Sequence, residues 1–188
     1  MSLRTIHSSE SNVFFCTFTC WNWLPLIAET DLYDAVYTWM GLAHEKGYRI
    51  LGYVIMPNHV HLLLLAPEDH RINTLLANAK RFLAYEAVRR LQCAGNMQRL
   101  EALAAATRTG DRERGQKHRV FSTSSDIREC TDEAMMHQKL DYIHANPVCG
   151  KWSLVDDPVD YPHSSLSFYT KGVSTFAPIT HVGLALHG

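Results

Sequence analysis

The chain has 188 residues, of which 46% are hydrophobic and 20% charged, a composition that indicates a globular protein with a buried core. Its formal net charge is −1, and its five cysteines include no CxxC pair, which argues against a disulfide framework or a thiolate zinc site. The longest apolar stretch, 62–67, is far shorter than the ~20 residues of a membrane-spanning helix. Because the N-terminal residues lack the apolar core of a signal peptide, we expect a cytoplasmic protein.

Basic residues are concentrated in one part of the chain. Residues 71–119 contain eleven Lys or Arg and four acidic residues, whereas the remainder is acidic overall. A phosphate backbone responds to a local basic patch rather than to the average charge of a protein. The distribution is therefore compatible with a nucleic-acid partner, although a solvated surface of charged helices would have the same composition.

Hydrophobic periodicity predicts a strand, a helix and two further strands in the first part of the chain. Alternating aromatic and small residues predict a strand over 12–20. Apolar residues at helical spacing predict a helix over 31–45, for which Thr30 can act as N-cap. The runs 48–56 and 59–66 are separated only by a Pro-Asn turn, so we expect them to pair as an antiparallel hairpin.

The second part of the chain predicts more helix than strand. The pattern indicates a long helix over 72–91, a shorter helical stretch over 97–107 and a short strand over 118–122. Thr131 is the predicted N-cap of a last helix that should end at about His144, because a proline soon follows and disfavours helical backbone in the residue before it.

The order of these elements is strand, helix, strand, strand, helix, strand, helix, which predicts an α+β fold. We expect a ferredoxin-like antiparallel sheet with helices on one face, formed by a single domain over 1–188. Within this domain, residues 92–117 are interpreted as a basic insertion and residues 150–188 as an irregular C-terminal tail.

Two histidines open the third predicted strand. His59 and His61 are two residues apart, and such residues point to the same face of a strand. Both imidazoles can therefore reach one point in space, and neutral imidazole is a common ligand of divalent metal ions. A pair of structural histidines on a strand would give the same pattern, so the spacing alone does not establish a metal site.

A tyrosine and an asparagine lie on one face of the last predicted helix. Tyr142 and Asn146 are four residues apart, so an amide oxygen and a phenolic nucleophile can serve the same locality. A tyrosine that attacks a phosphodiester forms a covalent phosphotyrosine and conserves the energy of the broken bond for resealing. Taken alone, Tyr142 would equally suit a contact between helix and sheet, and Asn146 a helix end.

Three motifs in order resemble one family of DNA-processing enzymes. The run 52–65, GYVIMPNHVHLLLL, resembles the metal-site strand of single-tyrosine HUH transposases, in particular the REP-associated tyrosine transposases. The run 141–150, DYIHANPVCG, is similar to the tyrosine helix of that family, and 160–165, DYPHSS, is similar to a motif that follows it. Three motifs in the same order make a chance match a poor explanation.

The resemblance implies specific roles for four residues. His59 and His61 would bind a divalent metal, Mg²⁺ or Mn²⁺, and Tyr142 would be the nucleophile. Asn146 would take the position of a third ligand, where other members of the family use glutamine. Tyr161 is a weaker candidate for the nucleophile, because a proline follows it and no ligand-like residue lies one turn away.

The resemblance also implies an activity. The expected function is a metal-dependent endonuclease and strand transferase, a transposase, that acts on single-stranded, hairpin-forming DNA through a covalent 5′-phosphotyrosine. Such a protein would be found at the nucleoid when it is bound to DNA. The basic side chains that fit the DNA-facing surface of the family are Lys80, Arg81, Arg89 and Arg90.

Other interpretations remain open from the sequence. Members of the family are commonly basic whereas this chain is nearly neutral, so a domesticated DNA-binding protein without cleavage activity is one alternative. Another is a zinc hydrolase, which would need a further ligand from residues such as His44, His118 or His137. The sequence also leaves open whether the active site forms within one chain or in a homodimer that exchanges the tyrosine helix.

Overall fold

A four-stranded antiparallel sheet forms the centre of the protein, as described by a computed structural model. The structure describes the following residues: 12–69, 71–150, 153–173 and 176–186. The strands are β1 (Val13–Thr19), β2 (Arg49–Ile55), β3 (His59–Leu65) and β4 (Asp126–Glu129). Their order across the sheet is β2-β3-β1-β4, with every neighbouring pair antiparallel. The predicted β2–β3 hairpin and the α+β class are therefore confirmed, and the strand order is that of a ferredoxin-like sheet.

Eight α-helices accompany the sheet within the described part of the chain. They are α1 (Leu26–Glu29), α2 (Tyr33–Glu45), α3 (Ile72–Cys93), α4 (Met97–Ala105), α5 (Thr109–Glu113), α6 (Glu133–Ala145), α7 (Leu166–Lys171) and α8 (Val182–Leu186). Short 3-10 turns occur at Trp21–Trp23, Asn146–Val148 and Pro158–Asp160. In this part of the chain no helix has both the length and the apolar character required to cross a bilayer.

One face of the sheet is covered by α2 and α3. Alternate β3 residues, Val60, Leu62 and Leu64, are fully buried in a core that also contains Trp39 of α2 and Leu83 of α3. Their neighbours on β3 point to the opposite face, as the period of a strand requires. This half of the molecule agrees with the prediction of helices on a single face.

The opposite face of the sheet is covered by α6, so the expectation of helices on one face alone is wrong for this helix. Leu140 and Ile143 of α6 pack in a second core with Phe15 of β1 and Leu63 of β3. Gly52 of β2 permits this approach, because a Cβ atom there would lie 2.5 Å from Leu140 Cδ1. The sequence pattern could not indicate which face a helix would cover.

Two predicted helix starts are displaced. Thr30 does not cap a helix; its hydroxyl donates to the Leu26 carbonyl oxygen in α1, and α2 begins only at Tyr33. The N-cap of α6 is Asp132 rather than Thr131, and its carboxylate accepts a hydrogen bond from Met135 N at 2.8 Å. A carboxylate at the positive end of a helix also interacts favourably with the helix dipole.

The predicted strand over 118–122 is wrong. In this segment only Phe121 forms an isolated bridge, with Cys20, and the fourth strand lies later, at Asp126–Glu129. The carbonyl groups of Ser122 and Thr123 accept hydrogen bonds from Lys80 Nζ instead of from a strand. The polar, mostly exposed β4 lacks the alternating apolar residues by which a strand is recognised.

The C-terminal segment is more ordered than the predicted irregular tail. It contains a 3-10 turn, α7 and α8, and it runs along the outer edge of β2. Ile55 N donates to the His163 carbonyl oxygen at 2.8 Å, and Ser165 N donates to the Tyr53 carbonyl oxygen at 2.9 Å. These bonds satisfy backbone groups of an edge strand that would otherwise be open to pairing with another chain.

Candidate active site

His59 and His61 lie together at the start of β3 and point to the face that α6 covers. Their ring centroids are 4.6 Å apart, and each residue retains 6% of its surface exposed. In β1 the residues directly opposite them are Thr19 and Thr17. The predicted shared face of the two imidazoles is therefore present.

The buried amide of Asn58 orients His59. Its Nδ2 donates to the Trp23 carbonyl oxygen at 3.1 Å, so its Oδ1 is the atom that faces His59 Nδ1, at 2.6 Å. Because a carbonyl oxygen only accepts hydrogen bonds, Nδ1 carries the proton. Nε2 of His59 consequently keeps the lone pair that a metal ion needs.

Thr17 and Phe15 of β1 hold His61. The Thr17 hydroxyl lies 2.7 Å from His61 Nδ1, and the Phe15 ring stacks on the imidazole with centroids 5.4 Å apart. The Thr17 hydroxyl is able to accept from Nδ1, and in that tautomer Nε2 of His61 is free, as it is in His59. Two neighbouring imidazoles thus share the same type of support.

Burial keeps both imidazoles neutral. It lowers the pKa of His59 to about 4, although a hydrogen bond with the Asn146 side chain acts in the opposite direction. It lowers the pKa of His61 to about 3, with smaller contributions from His59 and from the positive charge of Lys139. Only neutral imidazole can bind a metal ion, so both side chains are in the required state at neutral pH.

Tyr142 of α6 lies beside the two histidines in the same chain. Its ring centroid is 5.2 Å from that of His61 and 5.9 Å from that of Phe15, in both cases edge to face. Half of the residue, 52%, is exposed, so the phenol is open to a ligand approaching from solvent. Asn146, one turn later, reaches His59. The structure therefore brings together His59, His61, Tyr142 and Asn146 as the sequence led us to expect.

The donor set consists of two imidazoles and one amide. Within the described ranges, no group of three His, Cys, Asp or Glu side chains is arranged to hold a metal ion. A closed zinc site with three such protein ligands is therefore missing from this part of the chain, and His44, His118 and His137 do not complete one. The set suits a divalent cation that keeps coordination positions for oxygen atoms of water or substrate.

The four basic residues expected to contact DNA do not share one surface. Lys80, Arg81 and Arg89 line a groove of about 900 Å³ between α3 and residues 111–123. Arg114, Lys117 and Arg119 line the same groove.

Arg90 has a different environment and is used within the fold. Its Nη2 donates to both carboxylate oxygens of Asp34 of α2, at 2.8 and 2.9 Å, and the guanidinium also bonds Glu86 and the Asp31 carbonyl oxygen. A contact between Arg90 and a phosphate, as predicted, would therefore have to replace contacts inside the protein. Arg81, whose only described side-chain hydrogen bond is to Asn78 at 3.4 Å, has no such competition.

Three further residues at the site did not emerge from the sequence. Asn58 was interpreted only as a turn residue, although its place directly before His59 is the signal that could have identified it. Thr17 lacked any signal, because its partner is distant in the chain. Lys139 lies one helical turn before Tyr142, and its Nζ is 5.1 Å from the centre of the Phe15 ring.

If the two imidazoles hold a divalent metal ion, the Thr17→Val variant should bind that ion more weakly without unfolding. Valine has nearly the same shape but cannot accept from His61 Nδ1, so the imidazole loses its orientation. Loss of such a supporting hydrogen bond typically costs 10- to 100-fold in metal affinity, and we expect about that increase in the Kd for Mn²⁺. Isothermal titration calorimetry measures it. Thr19→Val, on the same strand opposite His59, is the control, and equal affinities of both variants would contradict the assignment.

The metal-free protein should lose stability as the pH falls from about 6.5 towards 3. Burial lowers the pKa of His59, His61 and His144, the last to about 4, so the unfolded chain binds protons in this range before the folded one does. Each histidine contributes a few kcal/mol at most. Urea unfolding with a chelator at several pH values tests this. His144→Gln, which can still bond Ser165, should show a shallower pH dependence; an unchanged dependence would contradict the prediction.

Comparison with solved structures shows a likeness over nearly the whole chain. A REP-associated tyrosine transposase bound to a REP hairpin has 16% identity and a TM-score of 0.61, over 97% of this chain and 93% of that chain. A candidate transposase from Deinococcus radiodurans has 15% identity and a TM-score of 0.42, over 76% of this chain and 95% of that chain. No family model and no curated protein matches the sequence. The chain thus has the fold of a REP-associated tyrosine transposase, the family that its motifs resemble.

Proposed function

We propose that the protein is a metal-dependent endonuclease and strand transferase for single-stranded DNA, that is, a transposase. The observation that carries this proposal is the position of the Tyr142 ring, 5.2 Å from the ring of His61 and half exposed, beside two neutral imidazoles. A phosphodiester that reaches the metal-facing side of the histidines would also reach the phenol. The fold shared with a tyrosine transposase supports the same interpretation.

In the proposed reaction Tyr142 is the nucleophile. Its phenolic oxygen attacks phosphorus and gives up its proton to solvent, the bond from phosphorus to the 3′ oxygen breaks, and the departing 3′ oxygen takes up a proton from solvent. The products are a 5′-phosphotyrosine and a free 3′-OH, so no bond energy is lost and the 3′-OH can reverse the step. A phenol is a better leaving group than an alkyl alcohol because the phenolate is the weaker base, which favours resealing.

His59, His61 and Asn146 would hold the divalent metal, for which Mg²⁺ and Mn²⁺ are the expected ions. When bound, such an ion polarises the scissile phosphate and offsets the charge that develops on it. Asn58 and Thr17 keep Nε2 of each imidazole available. Lys139, whose charge already acts on His61, adds a second cation on the side from which Tyr142 approaches.

We further propose that one chain suffices for cleavage. Tyr142 and His61 are in contact within a single protomer, so an exchange of α6 between two copies is not needed to assemble the site. Leu140 and Ile143 bury the same helix against the sheet and Gly52, which fixes the tyrosine in that position. A homodimer, if it forms, would then serve DNA binding rather than assembly of the active site.

Hairpin DNA is the proposed substrate, and the groove beside α3 is its proposed basic contact surface. The structural neighbour is bound to a REP hairpin, and the groove of this chain collects six Lys or Arg side chains. Lys80 already bonds two carbonyl groups and Arg89 bonds Glu86. Arg81 is exposed and makes only a 3.4 Å hydrogen bond to Asn78 among the described contacts, so its guanidinium is available to a phosphate.

The Arg81→Gln variant should bind DNA more weakly and with a smaller dependence on salt. Loss of one phosphate contact lowers the slope of log K against log salt by about 1 and weakens binding to all sequences alike. Fluorescence anisotropy over a salt series measures both quantities. Lys171→Gln, on α7 beyond the β2 edge, should leave both unchanged. A slope that drops equally in the two variants would contradict a phosphate contact in the groove.

The proposed function is tested with a pool of labelled single-stranded oligonucleotides that each carry a hairpin flanked by randomised bases. Incubation with Mn²⁺ should produce a protein–DNA adduct that survives denaturation and disappears with a chelator. Binding to the same pool with no adduct under any divalent metal would favour a DNA-binding protein without cleavage activity.

A further inference from the structure

Trp23 is an exposed tryptophan in an unfavourable backbone conformation. It exposes 60% of its surface, although tryptophan is highly buried on average. Its φ angle is 55°, and that of the preceding residue, Asn22, is 52°. A positive φ is an outlier for a bulky residue, and such strain is typically retained where a functional site requires it.

The same amide that orients His59 holds the backbone of Trp23. Asn58 Nδ2 donates to the Trp23 carbonyl oxygen at 3.1 Å, while Asn58 Oδ1 bonds His59 at 2.6 Å. Trp23 N donates to the Cys20 carbonyl oxygen at 3.1 Å, directly after β1. Asn58 thereby links the backbone that carries the Trp23 indole to the His59 imidazole, rather than to the apolar core.

The indole touches the histidine pair by an edge-to-face contact. The ring centroids of Trp23 and His59 are 5.8 Å apart, and the rings are inclined by 72°. Because most of the tryptophan remains exposed, this contact leaves indole surface open to solvent. Trp23 adjoins His59 whereas Tyr142 adjoins His61, so the tryptophan and the proposed nucleophile flank the histidine pair at its two ends.

We propose that Trp23 is a stacking platform for one unpaired DNA base next to the scissile phosphate. The inference rests on the function proposed above. Stacking on an aromatic side chain contributes about 1–3 kcal/mol per base and accepts any base, since every base has a flat π face. A paired base is already stacked within its duplex, so the platform favours single-stranded DNA at the cleavage point. Trp23 thus helps to select the strand state rather than the sequence.

The test compares Trp23→Leu with Trp23→Phe on an oligonucleotide selected from the hairpin pool. Binding is measured by anisotropy with metal-free protein, on the intact DNA and on a series that carries one abasic site at a time. Trp23→Leu should bind the intact DNA about 5- to 150-fold more weakly, the equivalent of one stacked base. Trp23→Phe should retain most of the affinity. Phe176→Leu, an exposed aromatic stacked on Tyr37, is the matched control and should bind normally.

One abasic position in the DNA should lower the affinity of the wild-type protein as much as the Trp23→Leu substitution does. The same abasic position should not lower the affinity of the Trp23→Leu variant any further. Equal binding by Trp23→Leu and wild type, or equal extra losses at every abasic position in the variant, would overturn the inference. Adduct formation is scored separately. If the wild-type protein forms the adduct but Trp23→Leu does not change DNA affinity, only the stacking platform is refuted. If DNA affinity falls at one base position but no adduct forms, only the cleavage function is refuted.

Discussion

The Tyr142→Phe variant should form no covalent adduct with single-stranded DNA and should not cleave it above background. The change removes one oxygen atom, and in the proposed reaction that oxygen becomes bonded to phosphorus. Removal of a nucleophile commonly lowers a rate by at least about a thousandfold, and the other hydroxyl beside His61, that of Thr17, is bonded to the imidazole at 2.7 Å. The assay is a denaturing gel of labelled oligonucleotide incubated with Mn²⁺.

Folding and DNA binding should survive this substitution, because the Tyr142 ring is half exposed and its hydroxyl has no described protein partner. Thermal unfolding and anisotropy therefore serve as checks. Tyr85→Phe, at a tyrosine of the basic groove that is more exposed than Tyr142 (74% against 52%), keeps its ring and should cleave at the normal rate. A Tyr142→Phe protein that still forms the adduct would exclude Tyr142 as the nucleophile.

The His61→Gln variant should lose both metal binding and cleavage. Glutamine can still bond the Thr17 hydroxyl, but it lacks the imidazole lone pair that faces the site. A bound cation supplies several kcal/mol of stabilisation to a phosphoryl transition state, so we expect cleavage to fall at least about a hundredfold. Calorimetry with Mn²⁺ should show a parallel loss of affinity.

His144→Gln provides the matched control for that loss. His144 is also a buried histidine with a lowered pKa, but it bonds Ser165 on the far side of α6 rather than the site. Its substitution should leave Mn²⁺ affinity and the cleavage rate nearly unchanged. If His61→Gln retained metal-dependent cleavage at the wild-type rate, His61 would not be a ligand.

The sequence predicted those parts of the fold that local patterns determine. The alternation in β3 placed His59 and His61 on one face, and the short Pro-Asn turn made β2 and β3 a hairpin. The four-residue spacing on α6 likewise placed Tyr142 and Asn146 on one face. Each of these inferences needs only the period of a strand or helix and the geometry of a tight turn.

Long-range contacts account for what the sequence did not predict. Whether Tyr142 lies near His61 depends on α6 crossing the face that α3 leaves open, and this approach depends on Gly52, which has no side chain to prevent it. Arg90 was expected on a DNA surface but pairs with Asp34, a partner 56 residues away. No local pattern encodes such a partner.

The polar strand β4 is a second case. Its four residues carry little apolar signal, while the apolar residues of 118–122 suggested a strand where the segment forms only one isolated bridge, between Phe121 and Cys20. Edge strands of this kind are held by one neighbour and need no buried face, so hydrophobic periodicity cannot find them.

The most direct test of the central claim is to identify the residue that carries the DNA. Wild-type protein is incubated with the hairpin oligonucleotide pool and Mn²⁺, the adduct is isolated under denaturing conditions, and its peptides are sequenced by mass spectrometry. The account predicts a nucleotide linked through phosphate to Tyr142, with a matching free 3′-OH on the released strand. A nucleotide on Tyr161 or any other residue, or no linked peptide with any divalent metal, would contradict it.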